Sequence, residues 1–250
     1  MDEMTTRKVI SGTCAVCFIA VSVQEFLRDQ SRTSLQVVGS GFLARPTTVI
    51  TNRHVIWELK RRLAEADLPE DHLYLWFVYQ RQGGLQKAFC RFKRYGVVAN
   101  EEIDVGIIEF VRRPEPEFEQ CQPLKVATEC APAIGEPIAV CGYPYGDDSL
   151  RLENGNFYRF GPVLQQGFVS AIAPFNYVGS TTIRDILLDV RTAGGMSGAP
   201  VVRPDGVVVG VHYAGIEATV AFAVPIDEPR LSAWLSAHDQ ALGANSPHAV

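Results

Sequence analysis

Short runs of aliphatic, aromatic and β-branched residues recur down this chain, each closed by Gly, Pro or a polar cluster. Cys14–Val23, Val37–Leu43, Thr48–Thr51, Leu73–Tyr79, Phe89–Phe92 and Val105–Val111 form one series. Pro137–Cys141, Val163–Phe175, Ile186–Val190, Pro200–Val202, Val207–Tyr213 and Val220–Val224 form a second. Runs this short, with turn residues between them at this spacing, are strands of a barrel-like fold. Two segments break the rhythm. Val55–Ala66 places Ile56, Leu59 and Leu63 on one helical face, with Glu58 four residues before Arg62. Near the end Leu231, Trp234, Leu235 and His238 recur at helical spacing, with Asp227 as N-cap and Pro229 in the first turn, so a terminal helix is expected over about 227–240. Between the two series, Arg113-Pro114-Glu115-Pro116-Glu117 through Gln122-Pro123 reads as a surface linker. The expected organisation is therefore an N-terminal β domain, 1–122, and a C-terminal one, 123–250, of about six strands each. The polar stretch Asp147–Gly161 is long enough to be a functional loop. No repeat and no low-complexity segment is present.

Composition narrows the class. An apolar share of 47% with plentiful Gly and Pro suits an all-β globular chain of one large or two modest domains. A net charge of -5 without a Lys/Arg block argues against nucleic acid as a partner. The apolar run Val9–Val23 follows Arg7-Lys8 as a signal peptide would, but the leader Met1-Asp2-Glu3 is acidic and no small-x-small cleavage site follows. The run is also too short and interrupted to span a membrane, and is read as a buried strand. Cys14 and Cys17 would then face opposite sides, which disfavours a bond between them. A lone Cys-x-x-Cys without a second pair favours core packing over zinc. Six cysteines kept as thiols, with no convincing signal sequence, place the chain in a reducing, cytoplasmic compartment.

The chemistry concentrates at Thr192-Ala193-Gly194-Gly195-Met196-Ser197-Gly198-Ala199-Pro200. A serine between glycines in a tight loop is suited to present its hydroxyl beside free backbone N–H groups, although the segment alone reads equally as a glycine-rich turn. A serine hydroxyl needs a histidine to take its proton and a carboxylate to orient that histidine. His54 stands at a strand end directly before the helix, in Thr51-Asn52-Arg53-His54-Val55. Asp104 stands inside an apolar strand, in Ile103-Asp104-Val105-Gly106-Ile107-Ile108, where an unpaired charge would cost several kcal/mol. Taken singly, each is as easily a structural residue.

Taken together, His54, Asp104 and Ser197, in that order and each in its own setting, resemble the chymotrypsin-like serine peptidases over most of the chain. Gly39-Ser40-Gly41-Phe42-Leu43 with Val49–Val55 is similar to the bacterial, HtrA-like branch. So are Asp104-Val105-Gly106-Ile107-Ile108, Gly167-Phe168-Val169-Ser170 and Ala221-Phe222-Ala223-Val224-Pro225-Ile226. The resemblance implies two six-stranded antiparallel barrels with the active site in the cleft between them, plus the terminal helix. It implies that Ser197 attacks, His54 acts as base then acid, Asp104 orients it, and the N–H groups of Gly195 and Ser197 bind the oxyanion. Digestive-type members carry an acidic residue before the nucleophile, which a new N-terminal amine pairs with; here Met196 stands there, so no N-terminal trimming is expected.

For specificity, Arg191, Thr192, His212, Tyr213 and Ala214 are expected to line the substrate pocket. Thr192 and the strand Gly210-Val211-His212-Tyr213-Ala214-Gly215 are similar to glutamyl endopeptidases, which implies selection of acidic or amide side chains. Arg191 is not part of that pattern and either reinforces the preference or points away. The expectation is a regulated intracellular serine endopeptidase acting on proteins or peptides. It needs neither metal nor organic cofactor, and a regulatory protein partner or an oligomer is a candidate switch. The competing reading is a catalytically silent homologue that binds peptides. Too few residues follow the terminal helix for a PDZ domain, so an HtrA-like quality-control role would need another architecture.

Overall fold

A computed structural model describes residues 1–21, 35–81, 84–100, 102–111, 119–129, 132–144, 161–173, 185–216 and 220–244, with Glu25 and Arg28. Helix α1 (Glu3–Gly12) leads into β1 (Thr13–Ile19), β2 (Leu35–Arg45) and β3 (Thr48–Thr51). Helix α2 (Arg53–Glu65) follows, then β4 (Leu73–Arg81), β5 (Gly84–Val97) and β6 (Gly106–Phe110). These six strands close into one antiparallel barrel in the order β1-β2-β3-β6-β5-β4. The strands β7 (Pro137–Gly142), β8 (Val163–Ala173), β9 (Asp185–Leu188), β10 (Pro200–Val202), β11 (Val208–Ile216) and β12 (Val220–Pro225) close a second, β10-β11-β12-β9-β8-β7. Helix α3 (Glu228–Ala244) ends the described chain.

Each barrel has its own apolar interior, and a third cluster joins them. Phe42, Ile50 and Ile107 of the first barrel meet Ala139, Cys141, Val208 and Val211 of the second, with Val9 of α1 and Leu231 and Trp234 of α3 in the same cluster. Burial on this scale fixes one barrel against the other, which gives residues from both a constant separation. The Asp227 carboxylate caps the terminal helix by accepting the Arg230 N–H at 2.9 Å, and the helix reaches back across the first barrel, where Arg45 pairs with Glu228 at 2.6 Å and Arg94 with Asp239 at 2.7 Å. Arg62 meets Glu58 at 2.7 Å on α2. No helix among the described residues is long and apolar enough to cross a membrane.

The apolar run at the N-terminus is not one strand. Val9 and Ile10 belong to α1, and β1 begins at Thr13. The Asp2 carboxylate accepts the Thr5 N–H at 2.7 Å, satisfying a first-turn donor, and Glu3 adds negative charge where the helix dipole favours it. Within β1 the two cysteines do take opposite faces. Cys14 packs into the barrel interior with Val16 and Phe18, and Cys17 packs outside with Ala15 and Ile19. The five described cysteines are buried thiols; Cys130, most of the Pro/Glu stretch (residues 112–118) and all of the Asp147–Gly161 loop except Gly161 lie outside the described residues.

Candidate active site

The end of β3 and the start of α2 place His54 in the first turn of a helix, where backbone N–H groups lack intrahelical acceptors. Asp104 supplies one. Its Oδ1 accepts the His54 backbone N–H at 3.0 Å, while its Oδ2 lies 2.6 Å from His54 Nδ1. One carboxylate thus fixes both the backbone and the ring of His54. Asp104 is not inside a strand as the sequence suggested; β6 starts at Gly106, and Asp104 is the central residue of a tight turn in which Val105 N–H bonds the Ile103 carbonyl at 2.9 Å. Two neighbours hold that turn. Asn52 Nδ2 donates to the Asp104 carbonyl at 2.8 Å, and the buried Arg53 guanidinium donates to the carbonyls of Val98 at 2.6 Å, Ile103 at 2.9 Å and Asn100. Burial alone would raise the Asp104 pKa. The hydrogen bonds and charge of His54, with the charge of Arg53, outweigh it and hold the carboxyl below its ordinary value.

The loop between β9 and β10 carries Ser197. Met196 N–H bonds the Ala193 carbonyl at 3.1 Å, closing a turn whose third residue, Gly195, has φ +91. Positive φ at that position defines a type II turn and requires glycine. The loop is then stitched to β11, Gly198 N–H to the His212 carbonyl at 2.8 Å and His212 N–H to the Ala199 carbonyl at 2.9 Å, and to β2, Ser40 N–H to the Ser197 carbonyl at 2.7 Å. Gly198 has φ +89, and an added Cβ there would lie 2.0 Å from the Ser40 carbonyl oxygen. Among the described residues, no hydrogen bond takes the N–H of Gly195 or of Ser197. The Ser197 hydroxyl donates to the Tyr213 carbonyl at 3.4 Å, and no hydrogen bond among the described residues joins it to His54. Tyr213 can accept it because β11 bulges there: His212 pairs with Ala223 and Ala214 with Phe222, leaving Tyr213 out of the ladder.

Of the proposed pocket residues, the structure brings Thr192 to β11: a Cβ added to Gly215 would lie 2.3 Å from Thr192 Oγ1. His212 is buried one position before the bulge. Burial pushes its pKa down to about 4; the adjacent Met196 backbone favours the proton, and the charge of His54 opposes it. Neither ring nitrogen has a hydrogen-bond partner of acceptable geometry. Tyr213 is tied through its hydroxyl to Asp185 at 2.9 Å, Ala214 is half-buried, and Arg191 is exposed. Met196 is buried in the interior of the second barrel.

The profile of the trypsin-like peptidase domain matches residues 39–211. The chain belongs to the trypsin-like peptidase family. Curated relatives include "Protease Do-like 4, mitochondrial" of Arabidopsis thaliana, 27% identical over 179 residues, which cover 71% of this chain and 27% of that protein. They also include "Putative protease Do-like 12, mitochondrial" of the same plant, 25% identical over 204 residues, 81% of this chain and 34% of that protein. The matched regions therefore span only about a quarter to a third of those relatives. Among solved structures, the crystal structure of an inactive mutant form of Rv3671c from M. tuberculosis superposes with a TM-score of 0.54 at 17% identity, covering 99% of this chain and 96% of that one, a likeness of fold.

Sequence reasoning passed over three residues that this trypsin-like peptidase domain uses to build its site. Asn52 and Arg53 were visible beside His54, but their acceptors are backbone carbonyls about fifty positions away. Ser40 was visible only as part of Gly39-Ser40-Gly41; its hydroxyl donates to the Gly195 carbonyl at 2.7 Å, across the two barrels.

Proposed function

We propose that this chain is a serine endopeptidase that uses Ser197, His54 and Asp104. The observation that carries the reading is the two-point hold of Asp104 on His54. Donating Nδ1–H to the carboxylate leaves the lone pair on Nε2, the tautomer a general base needs. The reaction requires the Ser197 hydroxyl to leave the Tyr213 carbonyl for that nitrogen, by rotation about χ1. As Oγ bonds to the substrate carbonyl carbon, its proton passes to Nε2, and the oxyanion meets the N–H groups of Gly195 and Ser197. Collapse of this intermediate breaks the C–N bond, Nε2 returns the proton to the leaving amine, and water repeats the sequence on the acyl-enzyme. Asp104, held ionised by His54 and Arg53, stabilises the imidazolium formed on the way.

For substrate choice, we propose acidic or amide side chains before the scissile bond. A buried neutral His212 on β11, with Thr192 brought against Gly215 of the same strand, offers donors that an apolar side chain would leave unpaired. Digestion of a peptide library should give cleavage after Glu, Asp, Gln or Asn, absent with Ser197→Ala. Cleavage after basic or large aromatic residues would overturn the specificity reading. The five buried thiols support a reducing, cytoplasmic location and with it a regulated role on a restricted set of proteins. The Ser197 hydroxyl bonded to Tyr213 favours one second reading, a silent homologue that binds peptides without cleaving them. Peptide binding without turnover at saturating peptide would establish it.

A further inference from the structure

Trypsin-like domains that carry an acidic residue before the nucleophile can hold the loop by charge; this chain has Met196 there and needs another anchor. Building on the peptidase reading above, we propose that Ser40, a residue of the first barrel, is the positioning residue that holds the oxyanion-binding segment Gly195–Ser197 of the second. Ser40 is fully buried on β2 and makes four hydrogen bonds. Its hydroxyl donates to the Gly195 carbonyl at 2.7 Å and accepts the Tyr143 N–H at 2.9 Å, its N–H donates to the Ser197 carbonyl at 2.7 Å, and its carbonyl accepts from Thr51 Oγ1 at 2.7 Å.

The geometry gives this grip a specific effect. Both oxyanion donors, the N–H groups of Gly195 and Ser197, lie on the segment whose two carbonyl ends Ser40 holds. The turn Ala193–Met196 is type II, with Gly195 at φ +91. A type I turn closes the same four residues with negative φ at that position and the central peptide turned over. The Gly195 N–H belongs to the central peptide, so turning it over would aim the Gly194 carbonyl where the oxyanion is to bind. Glycine adopts either sign of φ at little cost, so the turn does not choose for itself. The anchor bonds two peptides that follow that central one, fixing the Gly195 and Ser197 carbonyls and with them the place of both donors, and the Tyr143 N–H, accepted from the end of β7, orients the Ser40 hydroxyl toward Gly195.

Ser40→Ala tests this, because it removes only the hydroxyl and keeps both backbone bonds. Losing an oxyanion donor outright typically costs about 100-fold or more in kcat, and loosening one should cost about tenfold. The expected result is kcat down about tenfold with KM within about twofold, and affinity for a peptide boronic acid down by a factor similar to kcat. The acid limb of the pH–rate profile should be unmoved, because His54 and Asp104 are untouched. A kcat within about twofold of wild type, or a loss confined to KM, overturns the proposal. If Ser40→Ala melts below the assay temperature, Ser40→Cys, which keeps a weak donor in similar volume, takes its place, with a smaller loss expected and none overturning. Should the wild type prove inert to fluorophosphonate, the peptidase reading fails and the anchor is read by amide NMR instead. Ser40→Ala should then shift the Gly195 signal more than those of equally close residues, and an unmoved Gly195 signal overturns it.

Discussion

Replacing His212 with leucine and following stability against pH isolates the electrostatic state of the buried pocket residue. Burial lowers the His212 pKa from 6.5 to about 4 in the folded chain. On acidification the unfolded chain therefore takes up a proton first, so stability is fully present above about pH 6.5 and is lost as pH falls toward 4. At 1.36 kcal/mol per unit, the displacement amounts to about 3 kcal/mol across that window, at a slope approaching one proton. The buried His238, also lowered chiefly by burial, and Asp104, held low by His54, act in the same direction but are common to both chains. Whatever His212→Leu costs in packing at neutral pH, the gap between the two curves should move by about 3 kcal/mol in favour of the variant by pH 4. Urea titrations at intervals from about pH 7.5 to 4, followed by emission of the buried Trp76 and Trp234, measure it. Parallel curves for the two chains would refute the assignment of a buried, neutral imidazole.

Asp104→Asn removes the acceptor for His54 Nδ1–H and should lower kcat/KM about 10⁴-fold with the fold retained, read from peptide cleavage and circular dichroism. Gly198→Ala, at φ +89 with its Cβ 2.0 Å from the Ser40 carbonyl oxygen, should cost more than about 3 kcal/mol in thermal or urea unfolding. Gly194→Ala, whose Cβ meets nothing within 4 Å, should cost less than about 1 kcal/mol, and equal effects of the two would contradict the loop geometry. Arg53→Met leaves the carbonyls of Val98, Asn100 and Ile103 without their donor and should lower stability by about 2 kcal/mol or more, with a loss of kcat/KM larger than that of a control at the exposed Arg61.

Most strands were legible because barrel strands bury one face and end at turn residues; Thr48–Thr51 matches β3 to the residue. Strand β5 shows the limit. Phe89–Phe92 is its apolar part, but the strand runs from Gly84 to Val97, and exposed Lys87, Arg91 and Lys93 are kept in it by pairing with β4 and β6 rather than by their own preference. Helix α1 was hidden because Val9 and Ile10 continue the apolar run of β1, and the Asp2 cap that decides the matter was read only as charge. At the site, His54, Asp104 and Ser197 could be singled out because a carboxylate within an apolar run, a histidine at a helix start and a serine among glycines are each locally unusual. What Ser40, Asn52 and Arg53 do could not be, because each acts on backbone carbonyls that only the closed barrels bring near. Arg191 stands exposed, which a position next to Thr192 in sequence does not reveal.

The central claim is that Ser197 is a nucleophile activated by His54. Incubation with a fluorophosphonate probe, followed by mass mapping of the adduct, tests it most directly. The account predicts one phosphonylated residue, Ser197, in the wild-type chain, slowed strongly by Asp104→Asn and absent in Ser197→Ala. A folded wild-type chain that takes up no probe, or takes it up equally in Ser197→Ala, would contradict it.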